Sequence, residues 1–219
     1  RSRGHLEIGG GRLSKITMEI EREVIEAYFE SNGFMARQTV CVEHSTSRKK
    51  LNNLPVLAVF NPLVHENDPA LGFRLFTGDL SKIRSGLVAL LGWGNTTFSN
   101  SLLTSDTRLL KHFKQETKDN RVAESFDVGP ESMGRGFGNF LRLLVVPALP
   151  RSEGKLGETF SYFKGLGVDG VFTLRSLLEN LLRQSFPSKS HNGKSIYQVL
   201  QLMKAYELIR EPQLKMFPE

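Results

Sequence analysis

Basic side chains are the residues of this chain best suited to a function, because their spacing could bring them against the phosphates of a nucleic acid. One group lies in the polar segment 45–53 and consists of Arg48, Lys49 and Lys50. The other recurs at helical spacing further along the chain and consists of Arg108, Lys111, Lys114 and Lys118. If both groups faced one groove, they could neutralise several phosphates and give salt-sensitive binding without sequence preference. The alternative is a solvated basic face on a globular protein.

Other residue types offer less chemistry. Trp93, between two glycines at the end of an apolar run, could stack on a nucleic-acid base or be an ordinary core or rim aromatic. The five histidines are scattered without the i, i+4 pairing of a zinc site, and Cys41 has no second cysteine. No Gly-x-Ser-x-Gly elbow occurs. The glycine-rich stretch 134–138 lacks the strand before it and the helix after it that a phosphate loop needs, so we interpret it as a turn.

Composition indicates a globular protein with a mild basic surplus. Of 219 residues, 39% are apolar and 24% are charged, and no apolar run approaches the roughly 18 residues that span a bilayer. A cytoplasmic, membrane-free protein is the expectation. Residues 1–17 have no periodicity and precede Met18, so we predict a tag remnant or flexible leader. This segment supplies half of the net charge of +6, so the body permits a nucleic-acid partner without requiring one.

The elements that would position these residues alternate between helix and strand. Helices are predicted over 18–32 and 102–118, and strands over 34–44, 54–60, 83–93 and 140–149. In the first helix the predicted buried stripe consists of Ile20, Val24, Ile25, Tyr28 and Phe29. The continuous apolar runs at 54–60 and 83–93 predict strands covered on both faces. Beyond Pro150 we predict helices over 156–164, 173–185 and 194–210, with a short strand over 168–172.

This order of elements over residues 18–150 resembles the core of the PD-(D/E)XK nuclease-like fold, which restriction endonucleases and Holliday-junction resolvases share. Residues 23–34 resemble the family's first helix, which ends in a glycine and an aromatic before the first strand. Residues 54–62 resemble the strand that usually begins with a metal-binding Asp, and residues 87–93 the strand that usually reads Glu-x-Lys. The resemblance implies an α/β fold with an α-β-β-β-α-β core, a mixed central sheet flanked by helices, and a mainly helical extension, 151–219, packed on that core.

The resemblance also implies where the chemistry would lie. In such nucleases, acidic oxygens hold Mg²⁺ and a lysine lies near the attacking water. The helix acid falls on Glu23, with Glu26 as a neighbouring candidate, while the Asp, Glu and Lys positions fall on Val56, Ala89 and Leu91. These three side chains cannot ligate a hard cation, so no metal or other cofactor is expected. For both glutamates the alternative is a solvated helix face with charged neighbours.

The leading hypothesis is therefore a catalytically inactive nuclease-like protein that binds DNA or RNA non-specifically through a basic groove. One alternative is a protein-interaction or structural module on the same fold, with a protein partner or a second copy. The other is a nuclease that uses Mg²⁺ through relocated residues, for which Asn61, Asp79, Arg84 and Asp106 lie close enough in sequence. The sequence leaves these alternatives open.

Overall fold

Helices and strands alternate along the chain in the computed structural model. It describes residues 10–39, 54, 56–93, 100–118, 121–127, 139–184 and 195–206, with the backbone alone for 10–18, 100 and 204. The described helices are α1 (Gly10–Ser31), α2 (Asn100–Thr104), α3 (Asp106–Glu116), α4 (Arg121–Ser125), α5 (Glu153–Gly165), α6 (Leu174–Gln184) and α7 (Ser195–Ala205). The described strands are β1 (Met35–Gln38), β2 (Val56–Phe60), β3 (Ser85–Leu90), β4 (Leu141–Val146) and β5 (Gly170–Thr173). A 3-10 helix spans Thr77–Lys82.

The strands form one mixed sheet in the order β1-β2-β3-β4-β5. The first three pair antiparallel, and β3, β4 and β5 pair parallel. Because β5 joins β4, the segment beyond residue 150 contributes a strand to the sheet as well as helices. The backbone at Leu75 pairs with Val171 on the far side of β5, at 2.9 Å. The predicted α/β class and the mixed sheet flanked by helices are confirmed.

Strands β2 and β3 are buried because their sequences are apolar at every position except Ser85, which is itself buried. All six residues of β3 are buried, and β2 is buried from Val56 to Val59. A strand enclosed on both faces needs apolar side chains on both faces, so it shows no polar alternation. The prediction that both of these strands are covered on both sides is confirmed.

Two groups of helices cover the sheet. In one, α1 packs against α6 and α7, and Tyr28 and Phe29 place their rings edge-on to Phe172 of β5 at centroid distances of 6.0 and 5.9 Å. Edge-to-face contacts of this kind add to the stabilisation from burial. In the other group, α3 packs against α5, where Phe113 lies 5.1 Å from Phe163. The Asp106 carboxylate of α3 also accepts a hydrogen bond from the Ser152 amide at the start of α5, at 3.0 Å.

Several element boundaries differ from the prediction. Helix α1 begins at Gly10 rather than Met18, so part of the predicted leader is helical, since no proline interrupts residues 10–17. Ile20 is 51% exposed and does not belong to the buried stripe. The helix predicted over 102–118 is interrupted at Ser105, whose extended backbone (φ −115°, ψ 107°) caps α3. Residues 77–82 and 121–125, which lie largely or wholly in predicted loops, contain helical turns.

The predicted ends of α1 and β1 have different outcomes. Gly33 follows α1 with φ +86°, the left-handed conformation expected of a glycine after a helix. Strand β1 ends at Gln38, and residues 40–44 of the predicted strand lie outside the described residues. Among the helices that the structure describes, none has the length and apolar character needed to cross a membrane.

Candidate functional site

The three positions to which the nuclease resemblance assigns metal-site residues lie together at one end of the sheet. Val56 of β2 pairs directly with Ala89 of β3. Leu91 lies two residues after Ala89, and its backbone N–H donates a hydrogen bond to the Val145 carbonyl oxygen of β4 at 2.9 Å. Their exposed fractions are 4%, 0% and 1%. This end of the sheet is therefore lined by alkyl groups at these positions, and alkyl groups offer no oxygen to a hard cation.

The carboxylate that reaches this end of the sheet belongs to Glu21 rather than to Glu23 or Glu26. Glu21 is 2% exposed, and its Oε1 and Oε2 accept the Trp93 backbone N–H at 3.1 and 3.4 Å. Glu23 is half-buried and accepts a hydrogen bond from Ser195 Oγ at 3.0 Å, and Glu26 is also half-buried. Of these three glutamates, Glu21 alone is buried, and the roles that the resemblance implies for Glu23 and Glu26 stay predictions.

Helical periodicity explains why Glu21 points inward. Val24, Ile25 and Tyr28 lie three, four and seven residues after Glu21, and all three are buried. Residues at this spacing share one face of a helix, so Glu21 occupies the first position of the buried stripe of α1. The exposed Ile20 lies one residue before it, on a different face. The sequence signal for Glu21 was therefore an acid within an apolar stripe.

A glycine makes the approach of Glu21 possible. Any Cβ at Gly92 would overlap with the Glu21 carboxyl group. The absence of a side chain at this position lets the carboxyl group lie directly against the backbone that follows β3. Gly92 therefore leaves the space that the Glu21 carboxyl group fills, and the residues next to Gly92 in the sequence do not indicate this.

His112 of α3 contacts the same stretch of backbone from another helix. It is 5% exposed, and its Nε2 lies 3.0 Å from the Gly92 carbonyl oxygen. A carbonyl oxygen only accepts, so Nε2 carries the proton in this contact. Leu109 and Phe113, which flank His112 on the buried face of α3, are fully buried. The inward position of His112 was therefore also readable from the apolar spacing around it.

The electrostatic environment of Glu21 favours its neutral form. Burial raises its pKa to about 7, and the hydrogen bond from the Trp93 amide opposes this rise in part. A carboxyl group of this kind exchanges a proton in the neutral pH range. Glu21 is nevertheless a single carboxyl group, and both of its oxygens accept the Trp93 backbone N–H. Within the described residues, no group of three or more His, Cys, Asp or Glu side chains is placed to hold a metal ion.

The residues at this end of the sheet do not fit the Mg²⁺ that the nuclease resemblance implies for an active enzyme. Magnesium takes near-octahedral oxygen ligands, commonly one or two carboxylates with water and substrate phosphate. Here the side chains of Val56, Ala89 and Leu91 offer only carbon and hydrogen atoms. The Glu21 carboxyl group already accepts a hydrogen bond from the Trp93 backbone amide. No step of a metal-assisted reaction is supported by these side chains.

The basic side chains of α3 lie on the surface. We call Arg108, Lys111 and Lys114 of α3, together with Lys118 two residues beyond its end, the basic face of α3, and all four are exposed. Lys114 forms an ion pair with Glu158 of α5 at 3.1 Å and lies 6.0 Å from the Tyr162 ring. Within the described residues, the other three have no ion-pair partner. The predicted companions Arg48, Lys49 and Lys50 lie outside the described residues, so a shared groove is not tested.

Trp93 is placed differently from a base-stacking residue. Its exposed fraction is 6%, so its ring is enclosed by the protein. Stacking on a base requires an accessible ring face. Trp93 is a buried aromatic residue whose backbone N–H donates a hydrogen bond to Glu21. This position agrees with the alternative that Trp93 is an ordinary core aromatic.

Comparisons of the chain with protein-family models, with curated proteins and with solved structures find no significant match.

Proposed function

We propose that this chain is a nuclease-like α/β protein that lacks metal-dependent cleavage and binds DNA or RNA without sequence preference through the basic face of α3. The observation that carries the proposal is the direct pairing of Val56 with Ala89 at a buried end of the sheet. In the resembling nucleases these two positions hold the metal-binding Asp and Glu. Their pairing supports the alignment by which the resemblance was drawn.

The order of elements supports the same architecture. Helix α1, the antiparallel strands β1, β2 and β3, helix α3 and the parallel strand β4 follow one another as in the α-β-β-β-α-β core. Substitution of the acidic residues in such a scaffold removes the metal and leaves the shape that faces the substrate. The simplest functional consequence is a protein that still binds nucleic acid on this surface and no longer cleaves it.

The basic face of α3 supplies the charge for phosphate binding. From Arg108 to Lys114 the helix advances about 9 Å, and Lys118 follows just beyond the helix end, so the basic face can lie along neighbouring phosphates of one strand. Three of its four cations have no ion-pair partner within the described residues, and Glu158 partly neutralises Lys114. Contacts with phosphates fix position without reading bases, so no sequence preference is expected.

Fluorescence anisotropy of labelled single-stranded and duplex DNA across a salt series tests the binding. If three cations each displace about one counterion from duplex DNA, the affinity falls roughly 40-fold between 50 and 200 mM salt. The triple variant Arg108→Ala/Lys111→Ala/Lys118→Ala should lose most of this binding and of its salt dependence. RNA of the same length distinguishes the two nucleic acids.

A matched control removes the same charge from elsewhere on the surface. Arg37 of β1, Lys82 of the 3-10 helix and Arg175 of α6 are exposed and belong to other elements. Their triple alanine variant should retain binding. Equal loss in both triple variants would indicate a general charge effect, and an absence of binding by the wild type at 50 mM salt would contradict the proposal.

Incubation with plasmid DNA and Mg²⁺ or Mn²⁺ tests the absence of cleavage. We expect the plasmid to remain intact. Cleavage that disappears in the Glu21→Ala variant would instead support the alternative of a nuclease with relocated residues. Glu21 is the relevant residue because its buried carboxyl group bonds to the Trp93 amide, two residues after Leu91.

A protein-interaction module is the second candidate, and one observation favours it. Val199 and Leu202 of α7 and Tyr206, directly after its end, lie at i, i+3 and i+7 and are 48%, 56% and 74% exposed. Apolar residues at this spacing form a stripe on one face of a helix, and exposed stripes occur at interfaces. Light scattering after gel filtration of the wild type and of Leu202→Glu measures whether this stripe joins two copies. A monomeric wild type would exclude self-association as its role.

A further inference from the structure

A short extended stretch of backbone lies along β5 at the outer edge of the sheet. We call this stretch, from Phe73 to Phe76, the edge segment. The Leu75 N–H donates to the Val171 carbonyl oxygen at 2.9 Å, and the Val171 N–H donates to the Phe73 carbonyl oxygen at 2.8 Å. The Phe76 N–H donates to Asp79 Oδ2, and its carbonyl oxygen accepts the Asp79 N–H, both at 3.0 Å. The sheet and the 3-10 helix therefore fix the backbone that carries these side chains.

Two aromatic rings of the edge segment each have a cation over them. The Arg74 guanidinium lies 5.0 Å from the centroid of the Phe76 ring, and the Lys164 ammonium of α5 lies 5.1 Å from that of Phe73. Both cations are exposed, and within the described residues neither has an ion-pair partner or a side-chain hydrogen bond. A guanidinium placed over a ring keeps its N–H donors available for the oxygens of an anion.

The ring of Phe76 is also accessible to a ligand, because this side chain is 50% exposed. The edge segment therefore presents an aromatic surface and a positive charge side by side. A nucleic-acid strand carries a base and a phosphate in every nucleotide and matches both features, whereas an acidic peptide matches only the charge. In a duplex the faces of the bases are covered by their neighbours, so stacking on Phe76 requires an unpaired strand.

Helix α5 connects the edge segment with the basic face of α3. Lys114 of that face lies 6.0 Å from the Tyr162 ring of α5, and Lys164 follows two residues later on a different side of the same helix. Gly157 and Ser161 are exposed on the part of the helix surface between these two contacts. Their small size leaves room for a strand to cross α5 from one cation to the other.

We propose that the edge segment binds single-stranded nucleic acid, with a base stacked on Phe76 and phosphates bound by Arg74 and Lys164. This inference rests on the proposed binding of nucleic acid by the basic face of α3, and it extends that surface across α5 to the edge of the sheet. It gives Phe76 the stacking role for which the buried Trp93 is not accessible. The form that gains most from this surface is an unpaired strand.

Fluorescence anisotropy of the full chain with labelled oligothymidylate, and with an abasic strand of the same length, separates stacking from phosphate binding. The wild type should bind oligothymidylate at least about fivefold more tightly, which is the effect of one base stacked on an aromatic side chain. Phe76→Leu keeps an apolar side chain without the ring, so it should bind both strands nearly equally. Arg74→Gln should lower the slope of log affinity against log salt by about 0.7 for either strand. Oligouridylate of the same length compares RNA with DNA.

Two control variants remove the same groups from other parts of the surface. Tyr206→Leu removes another exposed ring and Arg37→Gln another exposed cation, and both should bind like the wild type. Equal affinity of the wild type for the two strands would overturn this inference and leave phosphate binding by α3 intact. A preference for oligothymidylate that persists in Phe76→Leu would overturn it as well. Absence of binding to either strand at about 50 mM salt would overturn both proposals. Displacement of oligothymidylate by polyglutamate of equal charge would instead indicate an acidic protein partner.

Discussion

Replacing Glu21 with glutamine should make the protein more resistant to unfolding at high pH and leave its resistance at low pH nearly unchanged. Glutamine has the same size, keeps an oxygen for the Trp93 amide and carries no charge. Burial raises the pKa of Glu21 from its ordinary value of 4.5 to about 7, so the folded chain holds this proton more tightly than the unfolded chain. The corresponding stabilisation is present in full below pH 4.5 and is lost as the pH rises through about 7.

The size of the effect follows from these two values. One pKa unit corresponds to about 1.4 kcal/mol, so the wild type should lose about 3 kcal/mol of unfolding free energy through Glu21 by pH 8.5. Glu21→Gln does not lose it. Somewhat less than 1 kcal/mol of this is already lost at pH 5, so the difference in unfolding free energy between variant and wild type should grow by about 2.5 kcal/mol between pH 5 and pH 8.5, or roughly 5 to 10 °C in Tm.

Urea unfolding followed by far-UV circular dichroism at both pH values measures this difference without relying on Trp93 emission. Glu19→Gln is the matched control, because it removes one exposed carboxylate from the same helix. It should change little at either pH. A difference for Glu21→Gln that stays within about 0.5 kcal/mol across the two pH values would refute the assignment of a buried, neutral carboxyl group.

Three further substitutions test the packing around the site and the core. Gly92→Ala places a methyl group where the Glu21 carboxyl group lies, so it should cost about 1 to 3 kcal/mol in urea unfolding, and the addition of Glu21→Ala should recover part of that loss. Val56→Asp buries a carboxyl group opposite Ala89 and should cost about 3 kcal/mol or more at neutral pH, whereas a neutral result would indicate an unrecognised cation nearby. Phe172→Ala removes a fully buried ring and should cost about 3 to 5 kcal/mol; a smaller loss would contradict its central packing.

Local sequence pattern was sufficient for the elements whose burial is uniform. The apolar run of β2, and that of β3 after Ser85, have no polar residue to suggest an exposed face, and the structure buries both. The alternation of helix and strand then gave the α/β class. The ends of helices could be predicted less well from the sequence where a tertiary contact determines them. Ser105 interrupts a stretch with helical periodicity, and the following Asp106 bonds to the start of α5, which is distant in sequence.

The candidate site shows the same limit more clearly. The family motif predicts an acid at Glu23, whereas the carboxyl group that is buried among the described residues is that of Glu21. Its partner, the Trp93 amide, lies 72 residues away, and the space it occupies exists because residue 92 is glycine. An acid within the apolar stripe of α1 was visible in the sequence. The backbone group that satisfies it was not.

Manganese soaked into crystals of the wild-type chain would show whether this end of the sheet binds a metal ion, because anomalous scattering locates the ion without reference to any activity. We expect no ordered ion at the end of the sheet bounded by Val56, Ala89 and Leu91. An ordered Mn²⁺ held there by the Glu21 carboxylate or another side-chain oxygen would contradict it.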